Sequence, residues 1–394
     1  MNRDKLIPYA GREHSSVKHF LLESYLERLI MITARPTHGY DHISYVDAFS
    51  GPWQSASPDL SDTSFAKAIE VMERCRATLA QYNRTVKFRA LFVERDPEAF
   101  ARLTKFAAAR FTSDIEILAI NEDFAESASS VAQWIRNNEM AFVLVDPTGW
   151  KDVISPRILA PLLRKRNVEM LINVMWNFIN LASGHASQRD NLSDLVGSEY
   201  QALVAEGSAG GGENWMRAYL QQLKAAADDG ESSHRLRTAW FPVEFRDQDR
   251  VFYYLTYVTH HVKGLIVFLE ESEKALTYQR EMKFAVKQQQ REAVSRMQDL
   301  FGNAIGPSQQ SEGTSGWDAR QVWLALLPAA SAEVLVDETV IAEMAERCGC
   351  LIPFLQASLS RLMNEGILEN LDMRKPRRKN FVNYRKGETI RRRN

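Results

Sequence analysis

The sequence predicts a doubly wound α/β fold. A mainly parallel sheet is covered by helices on both faces, carries an antiparallel hairpin at one edge, and is followed by a small C-terminal winged helix domain. Three observations carry this expectation. Short apolar runs rich in β-branched residues alternate five times with helical stretches, the pattern of a parallel sheet buried on both faces. Four successive strands end in acids, Asp47, Glu94, Asp123 and Asp146, and sheets of this type bind ligands outside the carboxyl ends of their strands. After a Gly/Ser-rich stretch at 301–316, three short amphipathic helices and a hairpin follow in about 75 residues, the outline of a winged helix-turn-helix. The chain has 394 residues, more than one compact core accommodates. The domains are therefore set at 1–300, with a helical insertion at 183–238, and 317–394, joined by the linker 301–316.

The elements are justified in chain order. Residues 13–32 place Val17, Phe20, Leu21, Tyr25, Leu29 and Ile32 at helical spacing, with Ser15 or Ser16 available as a cap. Residues 42–49 form the first strand and end in Tyr45-Val-Asp-Ala-Phe-Ser-Gly-Pro-Trp53. Gly51-Pro52 breaks the strand there, and the turn can present backbone N–H groups to a ligand. Ser64 can cap a helix over 65–80. Residues 86–93 are the second strand. They run into Glu94-Arg-Asp96-Pro97, where Pro97 opens a helix at a position that needs no N–H. A third strand at 115–120 precedes Asp123 and a helix over 127–137. The fourth strand, 140–145, is the most continuously apolar and ends in Asp146-Pro-Thr-Gly-Trp150. A helix over 155–166 and a fifth strand over 169–175 follow. The runs 251–259 and 264–269, separated by His260-His-Val-Lys263, read as two strands of an edge hairpin. Neighbours in a strand point to opposite faces, so His260 and His261 would not share a metal ion.

In the C-terminal part, helices are expected over 318–327, 337–348 and 352–364. A strand from 366 should return through 381–384. The wing tip between them, Arg374-Lys-Pro-Arg-Arg-Lys379, supplies Arg374, Lys375, Arg377, Arg378 and Lys379. The tail adds Arg385, Lys386 and Arg391-Arg-Arg393 against only Asp372 and Glu388. A charge run is commonly a solvated tail, but on a wing it is placed to meet phosphates. Nucleic acid, DNA or RNA, and a protein partner both remain open for it.

Composition fits a globular chain: 45% apolar, 25% charged and 10% aromatic. The net charge of −1 means that any nucleic-acid affinity must come from a local patch. Three cysteines, Cys75, Cys348 and Cys350, match neither a disulfide framework nor a zinc pattern and read as free thiols in a reducing cytosol. The N-terminal residues contain no apolar signal region, and no apolar run approaches membrane-spanning length, so a cytoplasmic location with no membrane partner is expected. Oligomeric state is not legible.

There is no Gly-x-x-x-x-Gly-Lys-Ser/Thr loop and no Gly-x-Ser-x-Gly elbow, which argues against a nucleotide triphosphatase and an α/β-hydrolase. Glu94 stands where an acid accepts ribose hydroxyls. Asp123 can take an adenine amino group or contact nearby backbone. One glycine after the first strand, where dinucleotide sites use three, suits a cofactor with ribose and adenine but no pyrophosphate. S-adenosylmethionine is such a cofactor. The residues assigned to it are Asp47, Phe49, Ser50, Gly51, Glu94, Asp96 and Asp123. Asp146 would accept a hydrogen bond from an acceptor amine and orient its lone pair. Pro147 would stiffen that turn, and Trp150 would stack on a base. A plain proline turn with a core tryptophan is the structural alternative.

Taken together, several motifs resemble one family. They are Val17-Lys18-His19-x5-Tyr25-Leu26, Tyr45-Val-Asp-Ala-Phe-Ser-Gly-Pro52, Phe92-Val-Glu94-Arg-Asp96, Leu144-Val-Asp-Pro-Thr-Gly149 and Tyr254-Leu-Thr-Tyr-Val-Thr-His260. In order and spacing they are similar to the three-Cys-motif partner proteins. The resemblance spans residues 13 to about 275, and the C-terminal part is similar to the winged helix-turn-helix of some members. It implies a Rossmann-like class I methyltransferase domain and a partner resembling a radical S-adenosylmethionine enzyme. The family's first motif usually ends Phe-Ala-Gly-Pro-Gly, whereas this chain has Trp53 at the last position. Asp146-Pro-x-Gly149 is closer to enzymes that methylate the exocyclic guanine amine in transfer RNA than to the Asp-Pro-Pro-Tyr type. Two functions follow as expectations. One is a methyltransferase acting on a base amine of nucleic acid. The other is a catalytically degenerate partner or DNA-binding protein, in a mobile-element or defence setting.

Overall fold

A computed structural model describes residues 9, 11–35, 39–51, 55, 57, 59–151, 153–206, 211–228, 230, 235–295, 319–373 and 381–393. Its centre is a seven-stranded sheet built from β1 (His42–Asp47), β2 (Lys87–Val93), β3 (Ile115–Ile120), β4 (Met140–Val145), β5 (Val168–Val174), β6 (Arg237–Glu244) and β7 (Val251–Thr259). The strand order is β3-β2-β1-β4-β5-β7-β6. β1 to β5 are parallel, while β7 runs antiparallel between β5 and β6. This is the Rossmann-like, mainly parallel sheet that the alternation of elements predicts. Its order reverses between β1 and β4, so the carboxyl ends of those strands diverge into a crevice.

Side-chain alternation divides the strands between two cores. Tyr45, Phe142 and Leu144 face one core with α1 (Glu13–Thr33), α2 (Ser64–Gln81) and α10 (Val262–Ser295). Val46, Val143 and Val145 face the other, with α4 (Phe124–Trp134), α5 (Pro156–Leu163) and α9 (Gly211–Ala227). α3 (Pro97–Arg110) closes the first face beside β3, and the short helices α6 (Trp176–Ala182), α7 (Arg189–Val196) and α8 (Tyr200–Glu206) precede α9. The helical insertion expected at 183–238 therefore holds α7 to α9, but its last residues already belong to β6. No helix among the described residues is long and apolar enough to cross a membrane.

Several local expectations change. α1 begins at Glu13, ahead of Ser15 and Ser16, and the Ser16 hydroxyl donates to the Glu13 carbonyl at 2.6 Å instead of capping. Thr63, not Ser64, caps α2 by accepting from the Ala66 N–H. α4 starts at Phe124 because Asp123 accepts from the Ala125 N–H. Residues 264–269 are not a strand. They open α10, and the hairpin partner of β7 is β6. A short, wholly buried apolar run has no periodicity to separate helix from strand.

The C-terminal part consists of α11 (Ala319–Leu326), β8 (Glu333–Val336), α12 (Glu338–Cys348), α13 (Ile352–Asn364), β9 (Leu368–Asn370) and β10 (Glu388–Arg392). The returning strand is β10, not 381–384. It pairs antiparallel with both β9 and β8. Val382 is held by both amide atoms of Gln356 instead, at 3.0 and 2.9 Å. This part packs against β6, α9 and α10. The Glu346 carboxylate, 2% exposed, receives Lys224 at 2.9 Å, the Thr238 N–H at 2.9 Å, Arg235 at 3.3 Å and Arg237 at 3.4 Å. Arg217 donates to the carbonyls that end α12, and Gly349 lies against the Trp240 ring.

Candidate active site

The crevice at the reversal of strand order opens into a cleft of about 500 Å³, within the range of small-molecule sites. Its walls come from the start of α1, the turn after β1, the end of β4 and the strand ends of β5 and β7. The turn after β1 is tied down by backbone. The Ala48 N–H donates to the Leu144 carbonyl and the Ser50 N–H to the Val93 carbonyl, both at 2.9 Å. The Ser50 hydroxyl returns to the Asp47 carbonyl at 2.8 Å. Phe49 and Gly51 are thereby left on the cleft wall.

Asp47 is fully buried. Its carboxylate accepts from the Ser64 hydroxyl at 2.6 Å, the Phe49 N–H at 3.2 Å and the Tyr45 hydroxyl at 3.2 Å. Burial raises its pKa from 3.8 to about 6, opposed by the Ser64 bond and reinforced by the charge of Asp146. Asp47 thus shapes the turn from beneath. Ser64, expected as a helix cap, is its principal donor.

Asp146 lies in the cleft. Its two oxygens are divided between the chain's own groups: Lys18 Nζ contacts Oδ2, and Asn173 Nδ2 donates to Oδ1 at 2.7 Å. Burial pushes its pKa up, but the Lys18 ammonium outweighs this with the help of Asn173, so the carboxyl is held below its ordinary range. The same ammonium and burial act oppositely on the histidines. Burial first, then Lys18, lowers His19 to about 3 and His14 to about 4. His19 is buried with Nδ1 at 2.9 Å from the Tyr9 hydroxyl. Lys18, Asn173 and Ser64 were not among the expected site residues. Asn173 carried a signal, being an amide inside the apolar strand Met170 to Met175.

The remaining expected residues divide. Pro147 is on the cleft wall. Trp150 is not: it is 7% exposed and packs in the core with Ile154 and Leu159, so the structural alternative holds for it. The exposed aromatic in the cleft is Phe178, 39% exposed. Glu94 ends β2 next to the turn after β1, with Oε1 accepting the Asp96 N–H at 2.7 Å, and burial raises its pKa. Asp96 and Asp123 cap α3 and α4, and Arg95 bridges to Asp123 at 3.3 Å. Trp53 and the wing-tip residues Arg374, Lys375, Arg377, Arg378 and Lys379 lie outside the described residues. The described tail is largely neutralised from within. Arg391 and Arg393 bond Glu369 at 2.7 and 2.9 Å, Arg385 bonds Glu270 at 2.5 Å, and Arg392 donates to the Leu327 carbonyl at 2.9 Å. His260 and His261 meet the carbonyls of Leu163 and Arg166. Cys75 and Cys348 are buried cysteines outside any disulfide, and Cys350 is a partly buried one.

No protein-family model matches the chain, and no curated protein does. Among solved structures, similarity is found to a Legionella pneumophila protein of family DUF519, at 9% identity and TM-score 0.32, covering 61% of this chain and 85% of that one. A loganic acid methyltransferase with SAH is similar at 12% identity and TM-score 0.30, covering 68% and 84%.

Proposed function

We propose that this chain is an S-adenosylmethionine-dependent methyltransferase acting on an amine nitrogen of a nucleic-acid base. The observation that carries the reading is the meeting of two features in one cleft. The tied-down turn Phe49 to Gly51 and the Asp146–Asn173 pair face the same space at the reversal of strand order. The cofactor supplies an electrophilic methyl group on a sulfonium sulfur. The reading assigns Glu94, just after β2, to a ribose and Asp123, after β3, to an adenine edge, although neither is among the residues that line the cleft. Asp47 acts indirectly by fixing the turn. Asp146 receives an amine N–H from the acceptor and directs the nitrogen lone pair, while Phe178 offers a ring face to a base. The basic wing tip, Arg374 to Lys379, is the proposed phosphate contact, because the described tail arginines are engaged elsewhere. The motif resemblance adds a radical S-adenosylmethionine-like protein as partner.

Calorimetry with S-adenosylmethionine is the first test, followed by transfer of labelled methyl to DNA and RNA by the wild type and by Asp146→Ala. Binding, with transfer lost in the variant, is expected. No heat at millimolar cofactor rejects the reading. A second reading, a methyltransferase-like binding module without turnover, is favoured by one observation: Lys18 already engages Asp146. Cofactor binding without transfer to any nucleic acid would select it.

A further inference from the structure

The functional reading assigns Asp146 to an incoming amine but leaves two neighbouring facts unused. The carboxylate already holds an amine, the Nζ of Lys18, and both side chains are mostly buried, at 13% and 15% exposure. Asn173, 4% exposed, spends its amide N–H on Asp146 Oδ1. That contact fixes the amide's orientation, since the opposite flip would set two oxygens against each other. Asn173 Oδ1 is consequently a buried acceptor, and it has no hydrogen-bond partner among the described residues. A buried acceptor left without a donor costs on the order of 1–3 kcal/mol, and such groups call for an explanation.

We propose that Asp146 and Asn173 form a two-acceptor subsite for the planar NH2 group of a nucleobase, and that Lys18 is its removable occupant. One N–H of the incoming amino group goes to Asp146, and the second goes to Asn173 Oδ1. Lys18 satisfies the carboxylate while the subsite is otherwise empty, which keeps a mostly buried anion from standing unpaired. Its stem is flexible, it enters from α1 and not from the sheet, and its ammonium can swing toward the open side of the cleft. Phe178, also on the cleft wall, gives the ring of the base a face to rest on. An alkylammonium ligand would compete with Lys18 on equal chemistry. A planar amine gains the ring contact and the second acceptor, both of which Lys18 leaves unused.

This inference rests on the methyltransferase reading for its purpose but is tested without turnover and without cofactor. Adenosine, cytidine and guanosine are titrated separately into the full-length wild type, Lys18→Ala, Lys18→Ala/Asn173→Leu and Phe178→Ala at pH 8. An occupant present nine-tenths of the time weakens apparent affinity about tenfold. Lys18→Ala should therefore bind at least one nucleoside about tenfold more tightly than the wild type, and the added Asn173→Leu should abolish that gain. Phe178→Ala should weaken the same nucleoside. Equal affinity in wild type and Lys18→Ala, or a gain that survives Asn173→Leu, overturns the proposal. Should Lys18→Ala not fold, wild type against Phe178→Ala and Asn173→Leu decides it: loss in both supports the subsite, and no loss or no wild-type binding refutes it. Cofactor titration stays a separate measurement. Cofactor binding without a nucleoside effect sinks the subsite alone, and a nucleoside effect without cofactor binding sinks the enzyme alone.

Discussion

Asp47→Asn tests the electrostatics beneath the site most directly. The carboxyl is fully buried, and its pKa stands at about 6 against an ordinary 3.8. A difference of about 2 units corresponds to about 3 kcal/mol. The sign follows from proton counting. Between pH 4 and pH 6 the folded chain keeps the proton that the unfolded chain has lost, so stability falls as pH rises through that window and then levels. Asparagine is nearly isosteric, can still accept from Ser64 or the Phe49 N–H, and has no charge to bury. Urea unfolding of both proteins from pH 4 to pH 8 isolates the effect as a difference. The variant should gain up to about 3 kcal/mol on the wild type between pH 4 and pH 7, with no further change above. A flat difference, or a variant that loses ground as pH rises, would refute the reasoning. It would mean that the three hydrogen bonds to Asp47 outweigh its burial.

Other perturbations have equally direct readouts. Lys18→Met leaves Asp146 without its cation and should cost about 3 kcal/mol, whereas Lys18→Met/Asp146→Asn should recover much of that in the same urea assay. Glu346→Ala leaves Lys224, Arg235 and Arg237 facing one another. It should destabilise docking of the C-terminal domain by about 3 kcal/mol, seen as faster hydrogen exchange in both α12 and β6. Gly349→Ala should act in the same direction, because φ is +64° and the new Cβ would lie 2.2 Å from the Trp240 ring. If nucleic acid binds, Arg377→Ala/Arg378→Ala should lower the salt slope of binding by about 2, while Arg391→Ala/Arg393→Ala, whose guanidiniums serve Glu369, should leave it unchanged.

The sheet was legible because its strands are bounded on both sides by unambiguous chemistry. Four of the five parallel strands are mainly apolar runs closed by an acid, and Pro97 or Asp123 announces the helix after the second and third. Legibility failed where that punctuation is missing. Residues 264–269 are apolar throughout, and only their tertiary place at the head of α10 makes them helical. The acids themselves are a subtler case. Asp96 and Asp123 do cap helices, and Asp47 turns inward to brace its own loop, so strand-end position alone did not distinguish acids with these separate duties. Asp146 was found by position, but its partners were not. Lys18 arrives from 128 residues earlier, a contact that no local pattern encodes. Trp150 was misread because a tryptophan after a turn can stack outward or pack inward, and the space between α5 and the sheet decided it.

The docked carboxylate of Glu346 has a consequence for anyone wishing to divide this chain. By composition the natural cut lies at 301–316. Energetically the boundary is elsewhere, since a fragment ending there would expose Arg217, Lys224, Arg235 and Arg237 as a bare cationic face beside an uncovered Trp240. Such a fragment would carry a sticky, nucleic-acid-seeking surface that the whole protein does not display. Polyanion binding by a truncated sheet domain would then be an artefact of the truncation, so a test for nucleic-acid binding belongs on the intact chain.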